Sequence, residues 1–523
     1  MSVIVMSLND LLSSSVPRAL CSSIRVRRMR GSSWVSVKSS FMSLILTPII
    51  PLDKLTVDIN LTPVRMITYN CKINQYPHNG NKTLSMNAST SHFGDTQAKP
   101  PVLSILFKTI QIIMIAVLNL FLWPLYAAGR RIWYRPPNVP HVAQVKRYLR
   151  LTWSVQPPAP GLSRRARIWL TLSIVRKLFM TPLIGLAWLL DELLYGRALN
   201  ATEIVAPLFV ISGGRSGSTQ MTRYLEADPT LTAPNLLQCM FPYLWLWRLA
   251  PRTIGRIITA EKARARIKAM MPPELLERHD LDPFKADTFD GAMYAAHLNP
   301  FALYLGPDVS AREFNFAAFV PEERSWMENA FVQLVDRLGR KQRLFIGDAE
   351  TDKPRRLFIK GHFLCAADAL ERQYPDAAFL TLVRDPASRL QSGINYLRVN
   401  PSDSAMGPPP WAWLSQSLLQ TESDYCRIEQ AWFSRESGAR RCVVRFAAFV
   451  SDLGGTMEHV YRVCLNQETL PPHVPRTHPR RERKNYTINR SLAELGIDAD
   501  LIRIELADYV AWCQPEKPQK ALS

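Results

Sequence analysis

Residues 207–234 read PLFVISGGRSGSTQMTRYLEADPTLTAP, and this stretch decides the fold. The run Leu208 to Ser212 has strand length and strand composition. It leads into Gly213-Gly214-Arg215-Ser216-Gly217-Ser218-Thr219 and then into the helical run QMTRYLEAD. Glycines allow a tight turn and close approach of a ligand, successive N–H groups at the helix start form an anion nest, and the hydroxyls add donors. Strand, glycine loop and helix together cradle a phosphate. A Mg-nucleotide triphosphatase would place Lys immediately after the last glycine to reach a γ-phosphate. Here Ser218 follows Gly217, and the cation, Arg215, precedes it. The alternative, taken on this loop alone, is a capped turn with no ligand.

Outward from the loop, short apolar runs alternate with helical stretches from about Ala201 onward: Leu357 to Ile359, Phe379 to Val383 and Cys442 to Phe446 join Leu208 to Ser212. That alternation predicts an α/β fold with a P-loop-like parallel sheet flanked by helices. Arg384 ends one of these strands, Asp385-Pro386 opens a helix, and Ser392 lies about two turns along it. Arg and Ser so placed converge on a second phosphate, the guanidinium supplying a bidentate fork. Another predicted strand ends in Lys360-Gly361-His362, at the end of a sheet where α/β proteins place chemistry.

These blocks, in this order, resemble the sulfotransferase family that uses 3′-phosphoadenosine 5′-phosphosulfate (PAPS), especially its bacterial membrane-associated branch. Residues 207–234 resemble the family's 5′-phosphosulfate loop. FLTLVRDPASRLQSGINY (379–396) resembles its 3′-phosphate element, with Arg384 and Ser392 at the matching positions. Residues 443–461 and 483–509 resemble its later strand-helix unit and basic C-terminal loop. The resemblance spans roughly 190–512. It implies PAPS as co-substrate, no metal, and a donor site of Gly214, Arg215, Ser216, Gly217, Ser218, Thr219, Arg384, Ser392, Arg483 and Lys484. It further implies catalytic roles for His362 as base and for Arg215 and Lys360 as stabilisers of the leaving phosphate. An imidazole is poised to take a proton near neutral pH. If His362 is structural, Glu226 or a carboxylate between Asp282 and Asp290 takes the role. Three positions depart from the pattern: Arg215 replaces the usual Lys, Gln220 stands where cytosolic members stack Trp on adenine, and Asn485 stands in the Arg-Lys-Gly loop. Two rival functions remain on the sequence: a nucleotide-dependent kinase of similar layout, and a non-catalytic membrane scaffold.

The 523 residues carry 64 Lys+Arg and 44 Asp+Glu, a net charge of +20. Residues 1–190 hold 23 basic and four acidic residues, so +19 of the excess sits there, while 191–523 are balanced. A nucleic-acid partner would need the basic patch on the folded region, so none is expected. Residues 1–85 have 14 Ser, 10 Lys+Arg, three Asp and no Glu, and are expected to be disordered. Three readings stay open for them: an organellar leader, a signal peptide, or a segment ahead of a true start at Met86. Residues 86–195 form the expected membrane-associated segment, with a candidate span at 102–126 in which Lys108 snorkels, and an interfacial helix at 168–194 split by Arg176, Lys177 and Pro182. Arg130, Arg131, Arg135, Lys146 and Arg147 follow the span, which puts the 196–523 domain on the cytoplasmic face of the membrane, a Golgi-type lumenal placement being the alternative. The eight cysteines show neither C-x-x-C spacing nor a His cluster, so no metal is implied and a reducing compartment is expected. Aromatic runs between 238 and 340 suit either an acceptor pocket or helix core, and leave the acceptor (glycan, lipid or small molecule) open.

Overall fold

The structure, a computed structural model, describes residues 101–132, 142–154, 162–253, 259–269, 273–278, 282–287, 321–347, 355–399, 411–479 and 489–514, with a few single positions between them and two short strands near the N-terminus. Those two, β1 (Ser23–Arg27) and β2 (Trp34–Lys38), form an antiparallel pair within the segment expected to lack structure. The rest of 1–85 lies outside the described residues.

Three helices follow: α1 (Val102–Ile132), α2 (Val142–Trp153) and α3 (Arg164–Ala201). The sheet then opens with β3 (Leu208–Ile211), α4 (Ser218–Glu226) and β4 (Leu231–Thr232). Next come α5 (Leu244–Arg252), α6 (Pro273–Arg278), α7 (Pro321–Ile346), β5 (Arg356–Gly361) and β6 (Ala378–Val383). The chain ends with α8 (Pro386–Val399), α9 (Trp411–Ser434), β7 (Arg440–Arg445) and α10 (Ala507–Cys513).

The five strands β4-β5-β3-β6-β7 form one parallel sheet. Side chains alternate across it: Phe209, Ile211, Leu357, Ile359 and Phe379 enter one core, and Leu208, Val210, Phe358, Leu380 and Leu382 the other. Burial on both faces is why these strands read as continuous apolar runs. The chain leaves central β3 toward β4 and β5 on one side, then crosses to β6 and β7 on the other. The order therefore reverses at β3, and the loops after β3, β5 and β6 share one crevice at the carboxyl edge.

The helix expected at 168–194 is longer and packs differently. It continues through Arg176, Lys177 and Pro182 as α3, and its second half belongs to the core beside the sheet: Trp188 and Leu199 are fully buried there. Buried Asp191 accepts from the backbone N–H groups of Leu244 and Trp245 and pairs with Lys341 Nζ at 2.9 Å, while Lys341 lies 3.5 Å over Trp188. The 195/196 boundary thus falls inside one helix. The first half of α3 packs along α1 and α2. Asn119 of α1 donates to the Phe179 carbonyl at 2.9 Å, one turn before Pro182, where the proline ring disturbs the helical ladder. Lys108 does not reach out along the helix; its ammonium sits 4.1 Å over Trp169.

Among the described residues two helices are long and apolar enough to cross a membrane, Val102–Gly129 with only 11% of its most apolar window buried, and Arg164–Ala201 with 44%. Leu106, Ile113, Val117, Leu120, Phe121 and Leu125 of α1 are all more than half exposed. Of the aromatic runs, Tyr243, Trp247, Phe289 and Tyr304 are buried core residues, which favours the core reading over an acceptor pocket at those positions.

Candidate active site

The site grows from the turn after β3. Arg215 and Gly217 adopt left-handed backbone angles, φ +66° and +95°, which only glycine accepts freely. Arg215 stores that strain at the loop's apex. Ser216, fully buried, closes the turn by donating to the Gly213 carbonyl at 2.7 Å. Gly217 caps α4 without any side-chain hydrogen bond, so the helix presents its first N–H groups, and the dipole's positive end, to whatever sits above them. Ser218 and Thr219 begin that helix.

Two other residues fix the loop from behind and from the side. A side chain on Gly213 would meet the Arg389 guanidinium at 2.5–2.7 Å. Arg389 is itself held by Glu422 (2.5 Å), Glu429 (3.1 Å) and the Tyr509 hydroxyl (3.0 Å). Sequence reading missed Arg389, although it stands five residues after Arg384. Arg384 donates to the Arg215 carbonyl at 2.8 Å and stacks over Phe446 at 4.5 Å. Its neighbour Asp385 caps α8 through the Ser388 N–H and hydroxyl, with Pro386 in the first helical position.

Ser392, two turns on, does not meet Arg384 directly. It accepts a 3.0 Å hydrogen bond from Arg215 Nε, while Arg215 Nη2 donates to the Arg278 carbonyl at 3.2 Å and its guanidinium faces Tyr396 at 5.2 Å. Burial pulls the Arg215 guanidinium below its ordinary range, with Tyr396 and Tyr486 opposing the shift. Burial and then the Arg215 charge do the same to Arg384 and to Arg278. The Arg215 charge thus bears on both of the other guanidiniums, and three cations gather around one loop.

His362, just past β5, bonds the Ser212 carbonyl through Nδ1 at 2.7 Å. A carbonyl only accepts, so Nδ1 carries the proton and the neutral ring keeps its lone pair on Nε2. That nitrogen faces the glycine loop, 3.9 Å from where a Gly214 side chain would start. Lys360 lies elsewhere: nearly fully buried in β5, it pairs with Asp287 at 3.2 Å. The substitute carboxylates are also engaged, Glu226 by the Ala286 N–H and Arg223, Asp282 by Arg264 and Asp287 by Lys360. Asp290, Arg483 and Lys484 lie outside the described residues. Their C-terminal neighbours are near the site: Asn395 of α8 exchanges two hydrogen bonds with the backbone of Arg490, and Tyr486 stacks on Arg278 at 4.4 Å. Among the described residues no cluster of His, Cys, Asp and Glu could hold a metal ion, and six cysteines are free thiols.

A parallel sheet with a glycine loop leading into a helix at its switch point defines a P-loop-like α/β protein. Residues 207–466 match the model of the sulfotransferase family, and this α/β region belongs to it; sulfuryl transfer is the activity class that goes with it. The chain is similar to the crystal structure of sulfotransferase STF1 from Mycobacterium tuberculosis H37Rv (17% identity, TM-score 0.46, covering 74% of this chain and 98% of that one). It is likewise similar to that of sulfotransferase STF9 from Mycobacterium avium (16% identity, TM-score 0.49, 74% and 95%). A comparison with curated proteins found no match.

Proposed function

We propose that this protein transfers the sulfuryl group of PAPS to a hydroxyl or amine of an acceptor at a membrane surface. The observation that carries the reading is the convergence of Arg215 from the glycine loop with Arg384 and Ser392 from the β6–α8 junction, 169 and 177 residues away in sequence, on one carboxyl edge beside a helix N-terminus. One anionic group needs one such feature. A donor with a 5′-phosphosulfate and a separate 3′-phosphate uses both.

In the reaction, the acceptor oxygen or nitrogen attacks sulfur in line with the bridging oxygen, the S–O bond to the 5′-phosphate breaks, and its electron pair leaves with adenosine 3′,5′-bisphosphate. His362 takes the acceptor's proton on Nε2, with Ser212 fixing the ring's tautomer and orientation. Arg215 and the N–H groups of Gly217 to Thr219 stabilise charge growing on the leaving phosphate. Arg384, Ser392 and the C-terminal loop bearing Arg483 and Lys484 hold the 3′-phosphate. Lys360, paired with Asp287, supports this edge at one remove, two residues before His362 near the end of β5.

Helix α1 with the first half of α3 forms the membrane attachment. The exposed apolar side chains of α1 and the +19 charge of the first 190 residues suit an anionic lipid surface, and Arg130, Arg131, Arg135, Lys146 and Arg147, which follow the 102–126 stretch, favour a cytoplasmic catalytic region.

The test is transfer itself. Full-length protein, sulfur-labelled PAPS, EDTA and a panel of alcohols, phenols and amines should yield labelled acceptor, and Arg384→Ala should abolish the signal. Transfer that requires ATP and Mg²⁺ in place of PAPS would instead identify a kinase.

A further inference from the structure

Arg278 closes α6, a helix far in sequence from every phosphate-loop motif. A cation at a helix C-terminus is favoured by the dipole, which accounts for a surface arginine. It does not account for what this arginine does. Its side chain is more than nine-tenths buried, and its Nη2 nitrogen, shielded from solvent, has no hydrogen-bond partner among the described residues. The guanidinium carbon lies 4.4 Å over the centre of the Tyr486 ring. No carboxylate forms a salt bridge with it among the described residues, and the charge that acts on it most strongly is the like-charged Arg215, with Glu277 opposing.

A buried guanidinium left short of acceptors beside a second cation is costly unless an anion completes it. The same Arg215 side chain donates from Nε to Ser392 and from Nη2 to the Arg278 carbonyl, so one fork holds Ser392 and Arg278 side by side. Helix α6 also packs on α8, the helix that carries Ser392. We propose that Arg278 is a further binding residue of the donor site, a third guanidinium that contacts the donor's 3′-phosphate from the side opposite Arg384, with Tyr486 as the platform that orients it. Stacking on the ring fixes the plane of the fork and leaves its N–H edge for phosphate oxygens.

This rests on the PAPS reading, and the test separates the two. Full-length wild type, Arg278→Gln and Arg278→Lys are titrated calorimetrically with adenosine 3′,5′-bisphosphate and with 5′-AMP, and the ligand-free melting temperature of each is recorded. Arg278→Gln should weaken the bisphosphate by about tenfold or more while shifting 5′-AMP by less than about threefold, and Arg278→Lys should recover part of the loss. The ligand-free melting temperature of Arg278→Gln should stay level or rise, because a repelled buried charge is gone. Equal losses for both nucleotides with a lowered melting temperature would make Arg278 a structural strut and overturn the inference. An unchanged bisphosphate affinity in a binding-competent wild type overturns it as well, leaving the PAPS reading in place. A wild type that does not bind the bisphosphate overturns both.

Discussion

Arg215 Nε donates to Ser392 Oγ across 3.0 Å, joining the glycine loop after β3 to the helix after β6. In the proposed reaction these residues serve opposite ends of the donor, Arg215 the 5′-phosphosulfate and Ser392 the 3′-phosphate. Donor binding therefore exchanges one hydrogen bond between them for charge-assisted bonds to each phosphate. Ser392→Ala loses a neutral donor and releases Arg215, so adenosine 3′,5′-bisphosphate should weaken only about fivefold. Arg384→Ala removes a charged fork and should cost the bisphosphate about 2–3 kcal/mol or more, roughly thirty- to a hundredfold, with little effect on 5′-AMP. Calorimetric titration reads both. Equal losses for the two nucleotides with Arg384→Ala would remove the 3′-phosphate assignment.

The glycine loop rests on Arg389, whose guanidinium is locked between Glu422, Glu429 and Tyr509 and has no room to retreat. Gly213→Ala should lower stability by about 1–3 kcal/mol through overpacking. Gly393→Ala, in α8 with nothing near the new methyl group, should instead raise it by about 0.5–1 kcal/mol through helix propensity. Thermal melts of the two variants, run together, check the contrast.

Because the first half of α3 packs on α1 and α2 and its second half on the sheet core, where the chain is cut decides the result. Removing residues 1–132 takes away α1, the most exposed apolar helix, and should weaken membrane partition while nucleotide binding survives. Removing 1–200 also takes away Trp188, Asp191 and Leu199, strands Lys341 without its partner, and should yield insoluble protein. Liposome flotation and solubility assays distinguish the two, and a soluble, nucleotide-binding 201–523 fragment would contradict the packing of α3.

The loop and four of the five sheet strands are legible as apolar runs ending in glycine or a cation. The fifth, Leu231–Thr232, is two residues long and carries no period. The course of α3 is illegible for a different reason. Arg176, Lys177 and Pro182 look like interruptions, yet Arg176 is buried within the fold and Asn119 of another helix serves the backbone near Pro182. Long-range partners decide both. Arg278 and Arg389 escape sequence reading likewise: each is an ordinary helix arginine until the fold sets one beside Arg215 and the other beneath Gly213. Lys360 shows the converse, a motif residue whose charge is taken up by Asp287.

His362→Asn keeps the size and one hydrogen bond of the ring but cannot accept a proton. Turnover should fall by roughly two to four orders of magnitude, with affinity for adenosine 3′,5′-bisphosphate changed only a few-fold. His362→Ala should behave alike. Retention of more than about a tenth of wild-type turnover by the Asn variant excludes His362 as the base on the hundredfold minimum expected of one, and a carboxylate, Glu226 or one between Asp282 and Asp290, then becomes the candidate.

The most direct measurement of the central claim is a calorimetric titration of the full-length protein with adenosine 3′,5′-bisphosphate and, side by side, with ATP–Mg²⁺. Two anion-holding elements with no lysine after Gly217 predict 1:1 binding of the bisphosphate, unaffected by EDTA, and at least about tenfold weaker binding of ATP–Mg²⁺. Tight, Mg²⁺-dependent ATP binding with no heat from the bisphosphate would contradict the account.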